Sequence, residues 1–138
     1  MRTSPTQTVF VILTGELPPA GLARAAVRNG WPIHHTPPNR AQLEQALANG
    51  NSSVVIIHIP IADEPALDLI RCLRSSRRCA VVIAVSSAAT EDAEIQARAA
   101  GAGLFLPATA DADLIERTVR ALCVQPRRRV RAARSPAL

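Results

Sequence analysis

Apolar residues fall along this chain in short unbroken runs, separated by stretches with helical spacing. The clearest runs are Thr8–Leu13 (TVFVIL), Val54–Ile59 (VVIIHI) and Ala80–Val85 (AVVIAV). Each has strand length, and each lacks the polar–apolar alternation of a half-exposed strand. Two shorter pieces, Trp31–His35 and Leu104–Leu106, read as further strands. The intervening segments read as helices. Ala20–Asn29 follows Pro18-Pro19, which suits a first helical turn, and Gly30 closes it. Arg40–Asn49 has Asn39 as N-cap, Leu43, Ala46 and Leu47 on one face, and Gly50 as its stop. Asp63-Glu64-Pro65 opens a helix to about Arg74, with Leu67, Ile70 and Leu73 as its stripe. Thr90 or a neighbour caps a helix whose first turn carries Glu91, Asp92 and Glu94 and which ends at Gly101. Asp111 caps the last, which has Leu114, Ile115, Thr118, Val119 and Leu122 on its apolar face and stops at Gln125-Pro126.

Strand and helix therefore alternate five times. Continuous apolar strands must be covered on both faces, and short connections with right-handed crossovers then give an open parallel sheet between two layers of helices. The predicted architecture is α/β, a three-layer (βα)5 domain of flavodoxin-like strand order 2-1-3-4-5. In such a sheet the working rim lies at the carboxyl ends of the strands, near the point where the order reverses. Thr14, His58 and Ser86 are the polar residues expected there. The strand that ends in His58 poses the main chemical question, because an imidazole can serve as nucleophile, general base, metal ligand or a plain polar rim group that titrates near neutrality.

A chain of 138 residues is one domain by length and needs no disulfide or metal to fold. The reading places a flexible N-terminus at 1–6, the folded domain at 7–125 and a basic tail at 126–138. All sixteen basic residues are arginine, which excludes any mechanism needing a lysine. Five of them (Arg127, Arg128, Arg129, Arg131, Arg134) sit in the tail without an acid, so the net charge of +5 belongs to the tail and the body is neutral. One Trp, two Phe and no Tyr argue against a base-stacking nucleic-acid module. Cys72, Cys79 and Cys123 have neither zinc nor redox spacing. No secretory signal or membrane-length apolar run stands out, so a cytoplasmic protein without a membrane contact is expected.

Residues 7–124 resemble the receiver (CheY-like) domain of bacterial response regulators. ALDLIRCLR (66–74) resembles the family's third helix, VVIAVSS (81–87) its fourth strand with the terminal Ser/Thr, and AGAGLFLPA (100–108) the phrase around its fifth strand. The family's phosphoryl chemistry uses two metal-holding acids, an acceptor aspartate, a Ser/Thr and a lysine. Those places fall on Thr14 and Gly15, on His58, on Ser86 and on Ala108, with Thr109 where a proline usually follows. Only the serine is kept. Glu16 is the adjacent acid, and one carboxylate at a shifted position is a poor magnesium site. Phosphoryl transfer depends on positioning and charge neutralisation, and both are missing. The resemblance therefore implies a degenerate pseudo-receiver: not an enzyme, with no cofactor and no metal.

Such a domain would act as a phosphorylation-independent regulatory interaction or dimerisation module in bacterial signal transduction or transcription control. Relatives commonly associate through the face of their fourth helix, fifth strand and fifth helix. The resemblance places Glu91, Glu94, Arg98, Glu116, Arg117 and Arg120 on that face here, where mixed charges can pair with a partner protein or a second copy. Two other readings stay open. One is a nucleic-acid-associated regulator that uses the arginine tail, or an output domain beyond it. The other is a small-molecule sensor at the rim, with His58 and Ser86. His34, His35 and His58 as a metal site have against them that His34 and His35 point to opposite faces of a strand. Asp63 as a displaced acceptor has the helix N-terminus as its simpler account.

Overall fold

The computed structural model describes residues 8–14, 17–35, 52–75 and 79–122. The strands are β1 (Thr8–Leu13), β2 (Ile33–His35), β3 (Ser52–Ile59), β4 (Cys79–Ser86) and β5 (Leu104–Pro107). The helices are α1 (Ala20–Asn29), α2 (Glu64–Ser75), α3 (Glu91–Ala100) and α4 (residues 112–122). All pairings are parallel, and the sheet order is β2-β1-β3-β4-β5, as the alternation predicted. The helix expected at Arg40–Asn49 lies outside the described residues, as do Gly15, Glu16, Cys123 and the tail arginines.

The sheet buries both faces because each strand sends alternate residues to opposite sides. Val9, Val11 and Leu13, with Val54, Ile56, Ile83 and Val85, meet Leu22, Ala25 and Ala26 of α1 and Ala112, Ile115 and Val119 of α4. Phe10, Ile12, Val55, Ile57, Ile59, Val82 and Ala84 meet Ala66, Leu67, Leu69, Ile70, Cys72 and Leu73 of α2 and Ala97 and Ala100 of α3. Unbroken apolar runs are what a strand covered on both faces requires. Cys72 is a buried free thiol in the second of these cores.

Three helices begin as the sequence indicated. The side chains of Asp63, Thr90 and Asp111 accept from the amides of Ala66 (3.1 Å), Ala93 (3.0 Å) and Leu114 (2.8 Å). Each satisfies a first-turn N–H that has no partner within its helix. α1 differs: its N-cap is Pro19, which supplies no side-chain bond. It ends at Gly30, whose φ of 68° is the left-handed conformation that glycine adopts at least cost. At its other end, α1 lies so close to the β5–α4 loop that a Cβ on Gly21 would fall inside contact distance of the Ala110 carbonyl oxygen. This close approach seats the start of α1 against the rim.

Candidate functional site

The register brings three strand ends together. Leu13, His58 and Val85 lie side by side across β1, β3 and β4, and Ile59, Ser86 and Pro107 form the next row across β3, β4 and β5. Thr14 follows Leu13 directly. Its hydroxyl donates to the His58 carbonyl oxygen at 2.7 Å, and its amide donates to the same oxygen at 3.3 Å. The site is thus tied together through the backbone of residue 58, and Thr14 spends its hydroxyl on that tie.

By the alternation of β3, His58 shares the face of Val54 and Ile56, the side covered by α1 and α4. It is only 3% exposed. Its Nε2 lies 3.2 Å from Oγ of Ser87, while Nδ1 is buried without a hydrogen-bond partner among the described residues. Burial disfavours the charged imidazolium and lowers the pKa, so the ring is neutral at neutral pH. A neutral ring carries one proton. Placed on Nδ1, that proton would be a buried donor without an acceptor, at a cost of about 1–3 kcal/mol. Placed on Nε2, it is donated to Ser87. The second tautomer is favoured, and in it Nε2 is not a base toward the serine. A Ser–His nucleophilic pair would need the first tautomer and a carboxylate to orient it. Asp63, the acid on the β3–α2 loop, instead caps α2 through Ala66.

Ser86 does not face His58. It is fully buried, its hydroxyl accepts from the Ala88 amide at 3.2 Å, and its carbonyl accepts from the Ala108 amide at 2.8 Å. The serine that meets the histidine is Ser87, which is exposed. The sequence holds both serines, and only strand parity and the loop geometry separate their roles. Ala108 reaches the rim through its backbone and brings no charge. A cleft of about 160 Å³ beside Thr14 is lined mainly by Pro60, Ile61, Pro65, Ala66 and Leu69, with Asp63 the carboxylate among the described residues that line it. The second and third strands flank the first, but β1 separates them, and two strand spacings of about 4.8 Å keep His34 and His35 from His58. His34 stacks on Phe10 instead, with ring centroids 4.3 Å apart. Among the described residues, no group of three or more His, Cys, Asp or Glu is arranged to hold a metal ion.

The charged residues expected on the α3–β5–α4 face divide into two sets. Glu94 and Arg98 pair within α3 at 2.9 Å, and Arg98 also reaches the Gly103 carbonyl at 3.3 Å. Glu116 turns to α1, where it binds Arg28 at 2.8 Å and accepts from Asn29 at 2.6 Å. Asp113 joins Arg28 at 3.1 Å, and its hydrogen bond, followed by the charge of Glu116, raises the pKa of the guanidinium. Glu91, Arg117 and Arg120 are exposed and have no ion pair among the described residues. Ile95 of α3 and Leu114 of α4 are exposed as well and add an apolar component that the charge pattern did not reveal. Helical spacing could have shown Ile95 outside the apolar stripe of its helix.

No protein-family model matches the sequence, and no curated protein is significantly similar to it. Similarity appears at the level of structure. A response regulator from Thermotoga maritima superposes with a TM-score of 0.65 at 21% identity, covering 83% of this chain and 97% of that one. A protein of Burkholderia pseudomallei K96243 named for a relation to pilus assembly gives a TM-score of 0.67 at 17% identity, with 91% and 96% coverage. An atypical orphan response regulator, described by a phosphorylation-independent regulatory mechanism, gives 0.62 at 14% identity, with 83% and 94% coverage. The strand order, the parallel pairing and these superpositions agree: the chain has the fold of the response-regulator receiver domains.

Proposed function

We propose that the chain is a regulatory interaction module that uses a receiver fold without an aspartyl phosphate. One observation carries this reading: His58 occupies the strand-end place beside Thr14 as a buried, neutral ring with an unpartnered nitrogen. A phosphorylated rim needs metal-holding acids, an exposed acceptor and a cation. Here Thr14 is spent on the backbone of residue 58, His58 is closed off from solvent, and Ala108 is apolar. The orphan regulator with phosphorylation-independent regulation supports the same reading by analogy of fold. Regulation then rests on contacts with a partner protein or a second copy in bacterial signalling or transcription control. The surface for them joins Glu91, Glu94, Arg98, Arg117 and Arg120 to the exposed Ile95 and Leu114. No described helix is long and apolar enough to cross a membrane, which accords with a cytoplasmic role.

A second reading is favoured by the neighbour named for pilus assembly, which matches the largest share of this chain among the three. In that reading the partner belongs to an assembly apparatus and not to a promoter complex.

The test adds Mg²⁺ and beryllofluoride to the labelled protein and follows the amide spectrum. An unchanged spectrum is expected, and saturable shifts at Thr14, His58 and Ser87 would sink the reading. Affinity capture from lysate, with and without nuclease and with residues 126–138 removed, then assigns the partner. A protein that survives both treatments supports the folded surface. Capture that needs the nucleic acid and the tail transfers the function to Arg127–Arg134.

A further inference from the structure

His58 links three rim segments. Its carbonyl holds Thr14 at the exit of β1, its ring holds Ser87 in the β4–α3 loop, and the chain just after it accepts the Ala88 amide on the Pro60 carbonyl at 3.1 Å. The β4–α3 loop is short, and within it Thr90 both bonds back to Ala88 at 3.0 Å and caps α3. Whatever holds Ser87 therefore also holds the first turn of α3, which belongs to the proposed interaction face.

We infer that His58 is a proton-operated latch: proton uptake at its unpartnered Nδ1 breaks the hold on Ser87 and frees the β4–α3 loop and the start of α3. The reason lies in what surrounds the ring. The face it shares is made of Leu13, Ile56, Val85, Leu22, Ala110 and Ile115, all apolar. At the strand ends beside the ring, β1 and β4 present no titratable group among the described residues, since Cys79 lies at the opposite end of β4. The charged residues of the covering helices are otherwise engaged or exposed. Arg28 pairs with both Asp113 and Glu116, Arg24 and Asp111 border an open groove between α1 and α4, and Arg117 and Arg120 are exposed. Asp63, on the β3–α2 loop, caps α2. None of these forms a hydrogen bond or ion pair with the ring. Glu16 lies outside the described residues.

An imidazolium has two N–H donors, and this pocket supplies an acceptor for only one of them, the Ser87 hydroxyl. A buried, unpaired cationic donor is strongly unfavourable, so the charged ring must reach water. The strand ladder on either side is fully paired and resists, whereas Ser87 is exposed and is the yielding side. The opening is local and leaves the sheet intact. This latch is independent of what binds the surface; it adds acidification as the signal that alters it.

The test is a pH titration of the full chain from 8 to 5 by NMR, reading the His58 ring nitrogens and the backbone amides. At high pH the ring should show the Nε2–H tautomer. Its titration midpoint should lie below the free-imidazole value of 6.5. The amides of Ser87, Ala88 and Thr90 should shift along the same curve, while those of Val55 and Ile56 stay still. His58→Leu should flatten the loop curve. Ser87→Ala should leave the ring titrating and uncouple the loop from it, which keeps the inference testable even if the first variant folds poorly. A loop that still follows the ring in Ser87→Ala, or a ring that takes its proton only as the whole spectrum collapses, would overturn the latch.

Discussion

Gly21→Ala reverses the sign that helix propensity alone assigns. Gly21 is the second residue of α1, and in an isolated helix alanine is better there by about 1 kcal/mol. The tertiary structure opposes this. The new Cβ would lie inside contact distance of the Ala110 carbonyl oxygen and 3.0 Å from the Asp111 Cα, both backbone atoms that no rotamer change can move. Either α1 or the loop before α4 has to retreat, and overpacking of this kind costs roughly 1–3 kcal/mol, with more where backbone is the obstacle. Against the propensity gain, a net loss of about 1–2 kcal/mol remains, equivalent to a fall in Tm of roughly 3–8 °C for a domain of this size. Urea unfolding followed by circular dichroism at neutral pH measures it. Gly30→Ala is the control: nothing lies within 4 Å of its Cβ, and only the cost of φ 68° applies, about 1 kcal/mol. A Gly21→Ala variant more stable than the parent would refute the close approach and, with it, the seating of α1 at the rim.

Other substitutions probe the rim and the caps. His58→Leu removes a buried orphan nitrogen worth about 1–3 kcal/mol and one neutral hydrogen bond worth about 1 kcal/mol, so at pH 7.5 the variant should match or exceed the parent by about 1 kcal/mol. The folded-state pKa of His58 is lowered, so its contribution is fully present above the unfolded-state value near 6.5 and is lost as pH falls below it. At pH 5.5 the gap in favour of His58→Leu should therefore widen, by no more than about 1.4 kcal/mol for one proton; a gap that narrows on acidification contradicts the burial of a neutral ring. Thr14→Val deletes one of two donors to the His58 carbonyl, and urea melts should show a loss of about 0.5–1 kcal/mol; a neutral result would mean that the short hydroxyl contact contributes nothing. Asp111→Ala strips the cap of α4 and should cost about 1 kcal/mol by the same assay, with Asp111→Asn restoring most of it.

The sequence by itself determined the layered architecture. Unbroken β-branched runs could only be strands covered on both sides, and the caps at Asp63, Thr90 and Asp111 and the stop at Gly30 are local chemistry acting within a few residues. The strand order followed from the alternation, because short right-handed crossovers leave few ways to arrange parallel strands. It also brought Thr14 and His58 to one rim, since both end strands that lie side by side. What only the tertiary structure decided is which groups meet. Ser86 and Ser87 are adjacent in sequence, and a two-residue strand period sends one to cap a turn and the other to the imidazole. Glu116 is one more charge on a helical face until α4 is laid beside α1, where Arg28 and Asn29 claim it. Gly21 reads as a weak point in a helix until the distant Ala110 carbonyl fills the space a side chain would need. Propensity and capping act through neighbours in sequence, whereas these contacts join atoms that only the packing of the sheet and its two helical layers brings within bonding distance.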